Sequence, residues 1–318
     1  MNPTIELSSV TKRYDGHVAV NDLSLTVPAG TVYGLLGPNG AGKTTTIRMI
    51  LNIIAPDTGT VKLFGQSTSA PGIIDRVGYL PEERGLYKKM QARRVLRFLA
   101  ELKGLDGREA DRRIDMWLER FHLRTPERDW GNSKVDELSR GMQQKVQFIG
   151  TLIHDPELVI LDEPFSGLDP INADALKATI LELRSRGRTV IFSTHLMDSA
   201  QQLCDAVCII AGGRMVLDGD VAEVRATHGG RGLALAFAVV PSAAVLDVLH
   251  DRSLVARVDH SNRVAEVELA RSAEPNDLLR RLLDAGARLE RYELRHPSLH
   301  QIFLDTVEAR WTDPGLTE

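Results

Sequence analysis

At 318 residues, with 43% hydrophobic and 26% charged positions, the chain can bury a sizeable core and form two domains, or one large domain with an appendage. A formal net charge of -4 and the lack of any basic run argue against a nucleic-acid binder driven by counterion release. The longest apolar run, GLALAFAVV at 232–240, falls well short of the roughly 20 residues needed to span a bilayer and is followed by Pro241, so it reads as a buried strand.

The first residues, MNPTIELSSV, lack a basic start followed by an apolar stretch, so no secretory signal is expected and the chain is placed in the cytoplasm. Cys204 and Cys208 fit neither a disulfide framework nor a zinc pattern and read as two buried thiols in a reducing compartment. The histidines are scattered, and His195 alone stands in a context that points to chemistry.

From Ile5 to about Gly219, β-rich runs alternate with helical patterns, the sequence form of an α/β domain with a largely parallel sheet. Tyr14, in KRYDG, lies ahead of a glycine-rich loop, where its ring can stack on a purine or pack in the core. TVYGLLG at 31–37 is an apolar strand of the kind buried on both faces, as are LVILD at 158–162, TVIFSTH at 189–195 and AVCIIA at 206–211. The first of these runs into Gly37-Pro-Asn39-Gly40-Ala41-Gly42-Lys43-Thr44-Thr45, which fits G-x-x-x-x-G-K-[ST] between a strand and a helix-forming stretch. Glycines there let backbone N–H groups approach phosphate oxygens, and the following helix adds the positive end of its dipole. Lys43 supplies a point charge for the β- and γ-phosphates of a nucleotide and Thr44 a hydroxyl for Mg²⁺. Average composition produces such a string by chance in roughly one chain of this length in a hundred. The flanking strand and helix decide for function.

Between about Leu86 and Leu152, apolar residues recur at helical spacing with no strand between them: Val95, Phe98, Leu99 and Leu102, then Ile114, Leu118 and Phe121. This is a helical insert. Near its end, LSRGMQQK at 138–145 opens a helix with a serine N-cap and a glycine, like a second phosphate loop without acid, base or metal ligand. The strand LVILDEP then delivers Asp162 and Glu163 at its end, where open parallel sheets bind ligands. Asp162 is suited to the hydration shell of Mg²⁺. Glu163, directed elsewhere by strand alternation, is suited to polarise an attacking water. Solvent-facing acids at a strand end are the plain alternative, which the following Pro164 and Ser166-Gly-Leu-Asp169 weaken. Thr194-His195 closes another apolar strand, so the imidazole is expected at the same edge, within reach of the γ-phosphate or the water.

Beyond Asp220 the order is strand 232–240, helix 242–250, strands 254–259 and 264–269, helix 275–285, strand 287–294 and helix 297–310. The β-α-β-β-α-β part matches the ferredoxin-like motif, with Gly229, Gly230 and Gly232 marking the linker into it. The domain boundary is set at 1–219 and 220–318.

These motifs resemble those of the ATP-binding subunit of an ABC transporter. The phosphate loop GPNGAGKTT, the signature-like LSRGMQQK, the strand LVILDEP, the loop SGLD and the histidine of STH stand in that family's order over residues 4–219. The resemblance implies a P-loop ABC ATPase domain with a helical subdomain at about 86–152, followed by a small α+β domain. It implies ATP and Mg²⁺ as cofactors and two ATP-binding subunits facing head to tail, as a homodimer or a pseudo-symmetric heterodimer. Ser139 and the N–H groups around Gly141 then act on the γ-phosphate held by the partner's Lys43, which explains a loop without chemistry of its own. Glu163, His195 and Lys43 become catalytic, Tyr14, the loop residues and Asp169 bind the nucleotide, and Thr44, Glu82 and Asp162 serve the metal. Two departures stand out: Glu82 occupies the position of the family's usual glutamine, and Arg140 that of a glycine. LPEERGLY, LSRGMQQKVQ and the ending HPSLHQIFLDTV resemble bacterial exporters whose permease subunits are separate chains, placing the protein on the inner face of the membrane. A soluble ABC ATPase acting on ribosomes or nucleic acid is the alternative; it lacks support in a fused second domain, a long coiled coil or a basic arm. A GTP switch, prompted by Ser133-Lys-Val-Asp136, is weaker, because that string does not end a strand.

Overall fold

A computed structural model describes residues 3–83, 85–228, 231–270, 272–295 and 297–311. The chain divides into two compact units, Met1–Asp220 and Val221–Glu318. Gly229 and Gly230, expected to mark a linker, lie outside the described residues.

The first unit opens with two long strands, β1 (Ile5–Tyr14) and β2 (His17–Val27), followed after the phosphate loop by β4 (Thr58–Leu63) and β5 (Gln66–Ser67). They form an antiparallel sheet in the order β2-β1-β4-β5. These N-terminal strands thus make a sheet of their own, beside the expected largely parallel one. Its register slips at Ser8–Thr11, so the clean alternation that marks such a strand is lost.

The second sheet is the one the apolar runs announce. β3 (Val32–Leu36), β6 (Val77–Leu80), β7 (Leu158–Asp162), β8 (Thr189–Thr194), β9 (Ala206–Ala211) and β10 (Arg214–Asp220) lie in the order β10-β9-β3-β8-β7-β6. All pairs are parallel except the β9–β10 hairpin at one edge. Every residue of β3, β7 and β8 is buried, which requires cover on both faces. β3, β8 and β7 are neighbours, so the chain segments leaving their carboxyl ends meet at one edge.

α1 (Lys43–Ile50) follows the phosphate loop, and the insert forms α2 (Ala92–Leu102), α3 (Gly107–Arg120) and α4 (Arg140–Leu152), with α5 (Pro170–Ser185) and α6 (Met197–Leu203) beyond it. The apolar stripe of α2 is only half inward. Val95 is buried, whereas Phe98 is 38% and Leu102 64% exposed. Val95, Leu99 and Leu102 line an apolar groove of about 370 Å³ with Leu51, Ile53 and Tyr87. Cys208 is buried and Cys204 half-buried, both free, and burial pushes both thiols up.

The second unit holds α7 (Val221–His228), β11 (Gly232–Phe237), α8 (Ala243–Leu249), β12 (Val255–Ser261), β13 (Val264–Leu269), α9 (Pro275–Asp284), β14 (Leu289–Arg295) and α10 (Leu299–Trp311). The sheet is antiparallel in the order β12-β13-β11-β14, the split β-α-β arrangement of a ferredoxin-like fold. β11 stops at Phe237 instead of running to residue 240, and Val239 and Val240 are exposed ahead of Pro241.

Candidate functional site

β3 delivers Gly37 to a loop that only glycine can build at two points. Gly37 has φ 153° and a Cβ there would stand 2.2 Å from the Ile210 carbonyl oxygen; Gly42 has φ 106° and its Cβ would meet the Ala19 carbonyl oxygen at 2.4 Å. The loop is pinned from two sides, by the Ala41 N–H donating to Pro38 O at 3.2 Å and the Gly213 N–H donating to Ala41 O at 3.1 Å. Gly42 caps α1 without a side-chain bond, so the helix start keeps its N–H groups for an anion. Thr44 and Thr45 are half-buried in the first turn, and Asn39 and Gly40 are exposed. Lys43 is 7% exposed, its Nζ donating to Gly37 O at 2.8 Å and Pro38 O at 3.2 Å.

Asp162 ends β7 and Glu163 leaves it with φ 48°, in the left-handed region. Strand alternation therefore does not part the two acids; the turn does. The Glu163 N–H donates to Ser193 O at 3.2 Å and Ser193 Oγ at 3.1 Å, which holds the turn. The Ser193 hydroxyl donates in turn to Asp162 Oδ1. The Glu163 carboxylate, 8% exposed, accepts from Thr194 Oγ1 at 3.3 Å and from His195 Nδ1 at 3.1 Å, and stands 3.5 Å from Lys43 Nζ. Lys43, Glu163 and His195 thus converge from β3, β7 and β8. His195 is the accessible member, with its side chain 45% exposed.

Below them lies a cavity of about 150 Å³ lined by Glu82, Gln144, Gln147, Asp162, Glu163 and Ser166, among others. The structure so brings the exposed Glu82 to the same cavity as the buried acids. Asp162 Oδ2 is buried and receives no hydrogen bond from any described residue. Carboxylate and amide oxygens, with no soft ligand among the lining residues, suit a hard cation such as Mg²⁺ and its water. Tyr79, in β6, has its hydroxyl pushed up to about 12 by burial and then by the Asp162 charge.

A second group of expected residues stands apart. Ser139 caps α4, its Oγ accepting from the Met142 N–H at 3.3 Å. A Cβ on Gly141 would lie 3.0 Å from Asn172 Nδ2, and Asp169 caps α5 through the Asn172 N–H at 3.0 Å. Ser139, Arg140 and Asp169 are at least partly exposed, and among the described residues no hydrogen bond joins them or Gly141 to Lys43, Glu163 or His195. Tyr14 is 44% exposed, with Lys12 Nζ 5.7 Å from its ring centroid. Sequence reasoning missed Ser193 and Gln144. The signal for Ser193 was a serine directly after the apolar run Val190–Phe192 of β8.

A glycine loop between strand and helix, with paired acids at the end of β7, one strand removed from β3 in the same sheet, defines a P-loop nucleotide hydrolase. The chain belongs to the family of ABC transporter ATP-binding proteins. The ABC transporter family model matches residues 20–166, and a model described as the C-terminal domain of DrrA1-3-like ATP-binding proteins matches residues 219–307. The chain is 38% identical over 305 residues to the ABC transporter ATP-binding protein YhaQ of Bacillus subtilis, covering 96% of this chain and 99% of that one. It is 32% identical to the daunorubicin resistance ATP-binding protein DrrA3 of Streptomyces coeruleorubidus, over 94% of both. A solved ATP-binding subunit of an ABC transporter superposes with a TM-score of 0.65 at 30% identity, covering 70% of this chain and 92% of that chain. The protein is an ATP-binding subunit of an ABC transporter and an ATPase, using ATP and Mg²⁺.

Proposed function

We propose that this chain powers export through separate membrane-spanning subunits, working as a pair of ATP-binding subunits peripheral to the inner face of the membrane. The observation that carries the pairing is the split of the expected site: Lys43, Glu163 and His195 converge, while the Ser139 helix start stays exposed and unlinked to them. In this reading Tyr14 stacks on adenine, the N–H groups of Gly37–Thr45 and Lys43 hold the phosphates, and Thr44, Glu82 and Asp162 order Mg²⁺, which would neutralise phosphate charge. Glu163 accepts a proton from water and His195 keeps that carboxylate in place. Ser139, Gly141 and Asp169 complete the partner's site. Export is supported by relatives that include the daunorubicin resistance protein DrrA3 and a Nod factor export ATP-binding protein of Burkholderia lata. The exposed apolar groove along α2 supports a membrane subunit docking there. No helix among the described residues is long and apolar enough to cross a membrane itself.

Mixing two defective chains tests the composite site. Lys43→Ala removes one half-site and Gly141→Glu places a carboxylate where the partner's phosphate is to lie, so each chain alone should stay monomeric with ATP. An equimolar mixture, each also carrying Glu163→Gln, should sediment as a dimer retaining one nucleotide. A mixture that stays monomeric overturns the pairing.

A further inference from the structure

The structure assigns Gln144 a positioning role: its side-chain oxygen and Asp162 Oδ2 hold one water between them, tying the metal-ordering acid to the signature helix of the same chain. Gln144 sits in the second turn of α4, five residues beyond Ser139, and is 8% exposed. Its Nε2 donates to Pro164 O at 2.7 Å. That carbonyl can only accept, so the bond settles which end of the amide is nitrogen and leaves Oε1 for the cavity. Oε1 is buried and receives no hydrogen bond from any described residue, and the same is true of Asp162 Oδ2, which lines the same cavity.

Two buried acceptors without a donor are costly, each by the loss of its hydration. The other groups around the cavity do little to relieve them. Glu82 and Glu163 bring further acceptors, the Gln147 Nε2 hydrogens are directed at Pro81 O, 3.4 Å, and Glu83 O, 3.1 Å, and the Ser166 hydroxyl bonds to neither oxygen. A water has two hydrogens, which match two acceptors, and a polar cavity of about 150 Å³ admits several waters. Gln144 also reaches both ends of the site's acid loop. One end of the amide grips Pro164 just after Glu163, and the residue lines the same cavity as Asp162 just before it. A displacement of Asp162 or its water is therefore transmitted to α4, whose first residues are to meet the partner's phosphate.

The inference rests on the reading that Asp162 orders Mg²⁺. Its test uses the full chain with Gln144→Met, close in volume but with no donor and only a weak sulfur acceptor, and Gln144→Glu, whose protonated form reproduces the amide's donor and acceptor. Binding of a fluorescent ATP analogue is measured with and without Mg²⁺, and thermal melting confirms that both variants fold. The wild type should show Mg²⁺-enhanced binding. In Gln144→Met the enhancement should fall about tenfold, the scale of losing an outer-shell partner, with metal-free affinity changed less than about twofold. Gln144→Glu should regain the enhancement as pH falls and the carboxyl protonates. A crystal structure of the wild type should show a water within hydrogen-bonding distance of Asp162 Oδ2 and Gln144 Oε1. Unchanged Mg²⁺ enhancement in Gln144→Met, or no such water, overturns the role of Gln144 alone. A wild type without Mg²⁺ enhancement overturns the metal reading of Asp162 and this inference with it.

Discussion

Replacing Glu163 with glutamine perturbs three things that the structure separates. The carboxylate stands 3.5 Å from Lys43 Nζ, and the two side chains are only 7% and 8% exposed, so their attraction is poorly screened. Lys43 nevertheless keeps two carbonyl oxygens, at 2.8 Å and 3.2 Å, and the new amide oxygen can still accept from His195. The nucleotide-free protein should therefore lose about 1–2 kcal/mol, less than the roughly 3–5 kcal/mol of a buried charge left alone. The same change removes a negative group facing the phosphates and a competitor for Lys43, so ATP should bind about tenfold more tightly if some 1.4 kcal/mol of that competition disappears. Hydrolysis should slow by about a hundredfold or more, because an amide takes no proton from water. Urea unfolding without nucleotide, equilibrium binding and single-turnover hydrolysis measure the three effects independently. Hydrolysis within tenfold of the wild type would remove Glu163 from its role as base, and weaker ATP binding would refute the competition for Lys43.

Gly42→Ala should abolish ATP binding while the chain still folds with a lowered melting temperature, since a methyl 2.4 Å from Ala19 O must displace the loop. Gly78→Ala should cost about 2–4 kcal/mol in urea unfolding, because the added Cβ would press on Thr151 O at 2.3 Å, where β6 packs on α4. His154 is pushed down to about 4 by burial and then by the Lys103 charge, below its unfolded value of roughly 6.5. The unfolded chain thus binds more protons between these values, so stability is full above pH 6.5 and should fall by about 1–2 kcal/mol toward pH 4, after allowance for partial exposure. His154→Leu should flatten that part of the stability profile; an identical pH dependence in wild type and variant would exclude His154 as its source.

The parts legible in the sequence share a physical cause. β3, β7, β8 and β9 are almost wholly buried runs, which no solvent-facing element tolerates, and the chemistry of the site hangs from the ends of three of them. The ferredoxin-like order of the second unit was legible because β13 alternates strictly, exposed and buried, from Val264 to Leu269. β1 was not, since its burial reads with two exposed residues together at Ser8 and Ser9, where the register slips and Ser9 takes φ 48°. The cause given for the direction of Glu163 fails for a related reason: alternation holds only inside a strand, and the residue after Asp162 has already left it, so the turn parts the two acids. The roles of Gln144 and Ser193 were not legible because their partners lie 20 and 31 positions away, and a polar residue's long-range partner leaves no local pattern.

The arrangement of Lys43 also bears on how nucleotide binding is converted into movement. Its ammonium is satisfied within its own chain, by Gly37 O, Pro38 O and the nearby Glu163, so a triphosphate gains only the difference between new and existing partners. Phosphate oxygens that take Lys43 release Glu163, which remains held by His195 and Thr194 in a turn fixed by Ser193. The proposed base would thereby be freed without being displaced. On the proposed reading the triphosphate still lacks cover on the side away from the loop, and among the described residues this chain's own Ser139 helix start shares no hydrogen bond with the Lys43 centre. A second copy can supply that cover, and the affinity it adds belongs only to the paired state. On the proposed pairing, binding energy beyond the exchange at Lys43 favours closure, and hydrolysis, which would cut the phosphate joining the two chains, withdraws it.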